Sequence, residues 1–283
     1  MNTAFIKEVG PLRWAYRTAI RQFHKRILGR DQRMRLPTGE IITLPISDHS
    51  ATETFITNAN IDWGAEKLLC SLLQRRGAFL DVGAHIGYYS LYMLPHVTAV
   101  YAFEPDPRVR VFLEKNLHGK PNAEVLPFAV SSVPGKARFT LEANADVSHL
   151  AKDNEVSTNQ INVDVTTLDA FAASRNLLVE AIKIDAEGFD TEILTGALTL
   201  LAQQRPLVIT EASPDSTLFA LLSPIAYRVF AFLRQPATRK RSFAELLSHV
   251  AITGETKMLF LIPQERAAEL AAKAASQLDP SHQ

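Results

Sequence analysis

A doubly wound α/β fold, with helices on both faces of a mostly parallel sheet, is what this 283-residue sequence predicts. Two observations carry that expectation. Short apolar runs alternate with helix-period patterns along most of the chain, the signature of βαβ units. The second is the run Phe79-Leu80-Asp81-Val82-Gly83-Ala84-His85-Ile86-Gly87-Tyr88-Tyr89-Ser90, which reads as a buried strand ending in an acid, a glycine turn and the start of a helix. Such a unit builds a ligand crevice at the carboxyl edge of a parallel sheet. There Gly83 permits positive φ and close backbone approach, and Gly87 lets the helix sit close to its strand.

The elements follow in chain order. Residues 1–35 carry nine basic side chains against Glu8 and Asp31, and Leu12, Tyr16, Ile20, Phe23 and Ile27 recur at helical spacing. The result is a basic amphipathic helix. Its apolar stripe is expected to pack on the main domain, with an anionic membrane surface as the competing partner. Leu36–Glu40 followed by Ile41–Leu44 suggests a small hairpin or edge strand. A helix over Ala65–Arg76 is expected to stop at Gly77. The alternation then runs through strand Ala78–Val82, helix Ile86–Leu94, strand Thr98–Phe103, helix Pro107–Leu117 and strand Glu124–Val130. Strand Val179–Asp185, helix Thr191–Gln203 and strand Pro206–Thr210 continue it. Two more strands, Ala226–Phe232 and Lys257–Ile262, would finish the sheet edge as a hairpin-like antiparallel insertion, with one short helix (Ser242–Val250) between them. Arg266–Gln277 is a terminal helix. One α/β domain over residues 61–265 is expected, between a basic extension (1–60) and a helical tail (266–283).

Composition narrows the classes. A formal charge of zero gives no global electrostatic case for a nucleic-acid partner. The single cysteine, Cys70, permits no disulfide within the chain and fits a reducing compartment. No stretch reaches the roughly 18 uncharged residues a bilayer span needs, and Met1–Gly29 lacks the continuous apolar core of a secretory leader. A cytoplasmic location is expected, with peripheral membrane contact through the basic helix as an option. Metal chemistry is not expected, since the eight histidines show no ligand spacing.

The chemistry concentrates at strand ends. Asp81 would repel a dinucleotide pyrophosphate but suit S-adenosylmethionine (SAM), which offers an ammonium, a sulfonium and two ribose hydroxyls. Glu104, 23 positions on, ends the second strand and is placed to accept both ribose hydroxyls. Lys183-Ile184-Asp185-Ala186-Glu187-Gly188-Phe189-Asp190 ends the fourth strand, which neighbours the first in a doubly wound sheet. Lys183, inside an apolar strand, needs a carboxylate partner. Asp190 is expected to cap the next helix, and Glu211 adds an acid on the same edge. The polar segment Glu142–Gln160, containing Ser148-His149-Leu150, is expected to form a lid or acceptor wall. A dehydrogenase remains a rival because NAD presents the same ribose, but no Tyr precedes a Lys by four positions. No Gly-x-Ser-x-Gly elbow and no Walker A sequence occurs.

Taken together, Asp81-Val82-Gly83-Ala84 through Gly87-Tyr88-Tyr89-Ser90, Phe103-Glu104-Pro105, Thr167-Leu168-Asp169 and Lys183-Ile184-Asp185-Ala186-Glu187-Gly188 resemble the FkbM family of SAM-dependent methyltransferases over about residues 60–263. The resemblance implies a Rossmann-like class I methyltransferase fold, a seven-stranded sheet whose last strand is antiparallel. It implies O-methylation of a hydroxyl on a sugar, glycan, lipid or natural product. The SAM site so implied comprises Asp81, Gly83, Ala84, His85, Gly87, Glu104, Pro105, Ala129, Val130 and Asp185. Glu187 is the first choice of general base, then Asp185, with His85 and His149 weaker. The sequence departs from the family in having His85 for a usual Asn and Asp190 for a usual Glu. A SAM-binding protein without catalysis at a membrane surface is the remaining alternative.

Overall fold

The computed structural model describes residues 4–142, 145–151, 159–235, 238, 240–250 and 252–278. The chain opens with α1 (Ala4–Val9) and α2 (Pro11–Phe23), which runs into a π-helical turn, His24–Leu28. Strands β1 (Gln32–Arg35) and β2 (Ile41–Leu44) pair as the expected hairpin, followed by α3 (Ser50–Thr57) and α4 (Ala65–Leu72). The alternation comprises β3 (Ala78–Val82), α5 (Tyr88–Met93), β4 (Val100–Phe103), α6 (Pro107–Leu117) and β5 (Ala123–Leu126). A second sheet interrupts it: β6 (Ala129–Val130), β7 (Gly135–Thr140), β8 (His149–Leu150) and β9 (Gln160–Thr166). Then come α7 (Leu168–Ser174), β10 (Val179–Ile184), α8 (Asp190–Thr195), α9 (Leu198–Gln204), β11 (Leu207–Thr210) and α10 (Ser216–Leu222). The chain closes with β12 (Tyr227–Arg234), β13 (Arg241–Leu246), β14 (Leu259–Pro263) and α11 (Ala267–Leu278).

The main sheet has the order β13-β12-β14-β11-β10-β3-β4-β5. β14 runs antiparallel to both neighbours, β11 and β12, whereas β11, β10, β3, β4 and β5 are mutually parallel. This is the expected seven-stranded arrangement with its antiparallel last strand, extended by one edge strand. That strand, β13, corrects the expected helix over Ser242–Val250. Phe243 stacks on Phe230 at 5.8 Å and meets Phe232 and Phe260 edge-on, so aromatic pairing across strands overrides the local helical spacing.

Three further boundaries differ from expectation for identifiable reasons. The strand expected over Glu124–Val130 splits at Pro127, and Ala129–Val130 pairs with β9 in the second sheet. The helix expected over Thr191–Gln203 breaks at Gly196, where a Cβ would lie 2.4 Å from the Ser131 carbonyl oxygen. α4 stops at Leu72, not Arg76, because the Arg76 and Gly77 amides turn to the Glu180 carboxylate at 2.8 and 3.1 Å.

Apolar side chains fill both faces of the sheet. One cluster joins Leu68, Leu91 and Phe260 to Ile42, Leu44 and Phe55 of the N-terminal segment and to Leu270 of α11. The other joins Leu80, Phe103, Ile193 and Leu201.

Ile20 packs, part-buried, on the core as expected, but the rest of the apolar stripe of α2 reverses the expectation. Leu12, Tyr16 and Ile27 are 86%, 69% and 71% exposed, and Phe23 is half exposed, whereas Arg21 is fully buried. Its guanidinium donates to Thr52 Oγ1 and to the Leu44 carbonyl, both at 3.2 Å, and Arg17 donates to the Phe55 carbonyl and to Asn58. The carbonyls at the ends of β2 and α3 need donors, and these arginines supply them.

Candidate active site

The carboxyl ends of β3, β4, β10 and β11 open on one cavity of about 350 Å³, within the usual size of a small-ligand site. Gly83 holds the crossing between β3 and β10: its φ is +71° and a Cβ would lie 1.8 Å from the Asp185 carbonyl oxygen. At one end stands Glu104, whose Oε2 accepts the His85 amide and Oε1 the Asp106 amide, both at 2.8 Å. Each carboxylate oxygen keeps further acceptor capacity. Burial raises the Glu104 pKa. Phe103, Pro105, Phe128, Ala129 and Val130 form the apolar wall around it.

The other end is acidic. Asp62, Asp185, Glu187 and Glu211 line it, with Lys183 and Lys257. Lys183 donates to the Gly83 carbonyl at 2.8 Å and lies 3.1 Å from Asp185 and 3.8 Å from Asp81, so the expected carboxylate partners are present. Burial alone would lower its pKa, but Asp185 and then Asp81 overturn that and raise it. Burial, reinforced by Asp185 and Asp62, pushes the Glu211 pKa up to about 8. Glu187 occupies left-handed backbone with φ 47°.

Several of the residues singled out from the sequence behave differently from expectation, and each difference has a cause. Asp81 is fully buried behind the wall and does not line the cavity; it accepts Ser90 Oγ at 2.6 Å. Asp81 is therefore not placed to repel a pyrophosphate. Gly87 is also outside the cavity, giving close approach to Leu113. Asp190 caps nothing: it accepts Thr210 Oγ1 at 2.7 Å, and α8 has no side-chain cap. His85 adopts φ 52°, a conformation in which Asn and His are both enriched. Its ring reaches Ser50 Oγ and Asp48, each at 3.2 Å. Asp169 is structural, accepting the Thr199 and Leu200 amides at the start of α9. In the expected lid, Ser148, His149 and Leu150 line the cavity, whereas residues 143–144 and 152–158 lie outside the described residues.

Sequence reasoning missed a buried group beneath this wall. Tyr89 donates to Asp62 at 2.6 Å, while Tyr88 and the Asp62 amide donate to Glu66 at 2.9 and 3.0 Å. Lys257 donates to Glu53 at 2.9 Å and to the Ile61 carbonyl at 2.7 Å. The available signal was Tyr88-Tyr89 on a buried helix, because buried phenols need partners.

Burial raises the Asp62 pKa and pushes Glu66 up to about 7. The folded chain therefore keeps protons that the unfolded chain releases above pH 4.5, and stability falls as pH rises from there to about 7. Glu66→Gln is expected to melt like the native chain at pH 4.5 and to gain roughly 3 kcal/mol on it by pH 8. Thermal melts across that range check this; a difference that does not vary with pH would refute it.

The strand order, the antiparallel last strand and the acid-ended β3–β4 pair define a Rossmann-like methyltransferase fold. The family model of the methyltransferase FkbM domain matches residues 81–257, more than half of the chain. The chain belongs to that family. Similar solved structures include methyltransferase FkbM from Methylobacillus flagellatus KT, at 17% identity and TM-score 0.41, covering 74% of this chain and 52% of that one. This chain thus spans about half the length of that protein. A putative transferase from Pyrococcus horikoshii has 12% identity and TM-score 0.46, covering 89% and 86% of the two chains. A putative methyltransferase from Streptococcus mutans, in complex with SAH, has 10% identity and TM-score 0.36, covering 70% and 94%. No curated protein matches the sequence.

Proposed function

We propose that this chain transfers a methyl group from SAM to a hydroxyl oxygen of a sugar, glycan, lipid or natural product, and that it does so in the cytoplasm through the unit at residues 61–265. One observation carries the reading: a single cavity with a ribose-type acceptor, Glu104, at one end and four carboxyl groups at the other. The residues fit the cofactor. Glu104 has acceptor capacity for two vicinal hydroxyls, the apolar wall suits a planar base, and the acidic end suits an ammonium and a sulfonium.

When bound, SAM supplies an electrophilic methyl carbon on a positively charged sulfur. Asp185, oriented by Lys183, is the acid we place against the ammonium. Glu187 takes the acceptor's proton, and His85, whose amide donates to Glu104, supports the opposite end of the site. The largely apolar wall excludes water and holds the acceptor in line, the chief source of rate in such a transfer. Glu211, protonated near neutral pH, becomes a competent base only above about pH 8.

Labelled SAM incubated with the chain and glycan or lipid extracts tests the reading. Label in methyl ethers is expected; label confined to methylated amines would refute hydroxyl transfer.

A further inference from the structure

α2 is an amphipathic helix mounted with its polar face inward. Leu12, Ala15, Tyr16, Ala19 and Phe23 fall on one stripe of the helix and are all exposed, and Ile27 and Leu28 extend it through the π-helical turn. The inward face is held by Arg17 and Arg21, so the stripe cannot rotate under the domain without stranding a fully buried guanidinium. Contiguous exposed side chains of this size mark an interaction surface.

The charge around the stripe identifies the occupant. Arg13, Arg26, Arg30, Arg33 and Arg35 are exposed on and just after this helix. Arg26, Arg30 and Arg33 form no ion pair among the described residues. Arg30, Arg33 and Arg35 line a groove with Lys115 and Lys120, where Asp31 and Glu40 are each engaged by one of those lysines. Formal charge over the whole chain is zero, so this is a local concentration of cations. A second copy would bring the same cations against themselves, whereas an anionic bilayer takes the apolar stripe into its interface and the arginines onto its phosphates.

We infer that α2 and the turn to Leu28 dock this protein on an anionic lipid surface. α3, on which α2 rests, supplies Ser50, Glu53 and Thr54 to the cavity wall. Docking thus holds the cavity about two helix diameters, about 20 Å, from the bilayer. Docking does not depend on methyl transfer, and it is read without SAM.

The test is co-sedimentation of the full chain with phosphatidylcholine vesicles, with and without phosphatidylglycerol. Pelleting is expected only with the anionic vesicles, and high salt should release the protein. The L12S/F23S/I27S and R26E/R30E variants should each partition at least about tenfold more weakly, with melting temperatures near native because every substituted position is exposed. Absence of pelleting, or equal pelleting of both variants, would overturn the inference. So would a change from dimer to monomer in L12S/F23S/I27S without loss of vesicle binding, which would give the stripe to a second copy.

Discussion

Glu187→Gln is expected to lower kcat for methyl transfer by about 10²–10⁴-fold while leaving SAM affinity within a few-fold of native. The amide keeps the shape and one acceptor but cannot take a proton. Asp185 cannot readily replace it, since Lys183 sits 3.1 Å away and holds its carboxylate. The comparison with Glu211→Gln makes the assignment specific. Glu211 is pushed up to about 8 by burial and by neighbouring acids, so its loss should shift the alkaline limb of the pH–rate profile and leave the rate at pH 7 largely intact. Turnover retained in Glu187→Gln and lost in Glu211→Gln would transfer the role from β10 to β11.

Lys183→Met is expected to destabilise the fold by about 3–5 kcal/mol, seen as a lower midpoint in urea. Lys183 bridges three groups: the Asp81 and Asp185 carboxylates and the Gly83 carbonyl. Asp81 is wholly buried with Ser90 as its other partner, so removing the ammonium leaves a carboxyl with no cation in reach. Proton uptake by Asp81 would offset part of the cost, making the loss larger at pH 8 than at pH 5. A loss below about 1 kcal/mol at pH 8 would mean that the ion pair contributes little beyond its packing.

The part of the site visible in the sequence was the part written in short windows. Asp81 to Ser90, Glu104 and the run Lys183 to Glu187 each combine a strand end, a turn and a charge within a few residues, and β3, β4 and β10 bring them to one edge. What a window does not encode is the side of a wall on which a residue stands. Asp81 reads identically whether it faces a ligand or, as here, Ser90 and Lys183. Asp62, Glu66 and Lys257 escaped notice because their partners, Tyr89, Tyr88 and Glu53, lie far away in sequence. The mounting of α2 was hidden for the same reason. Helical spacing locates the apolar face, but only the carbonyls of Leu44 and Phe55 show that arginines face the domain.

Calorimetric titration with SAM tests the central claim, that this cavity is a SAM site, most directly. The expected result is saturable binding at about one site per chain, weakened at least about tenfold by Glu104→Ala through loss of its acceptors for the ribose hydroxyls, with no heat from NAD. Binding of NAD and not of SAM, or SAM binding unaffected by Glu104→Ala, would contradict it.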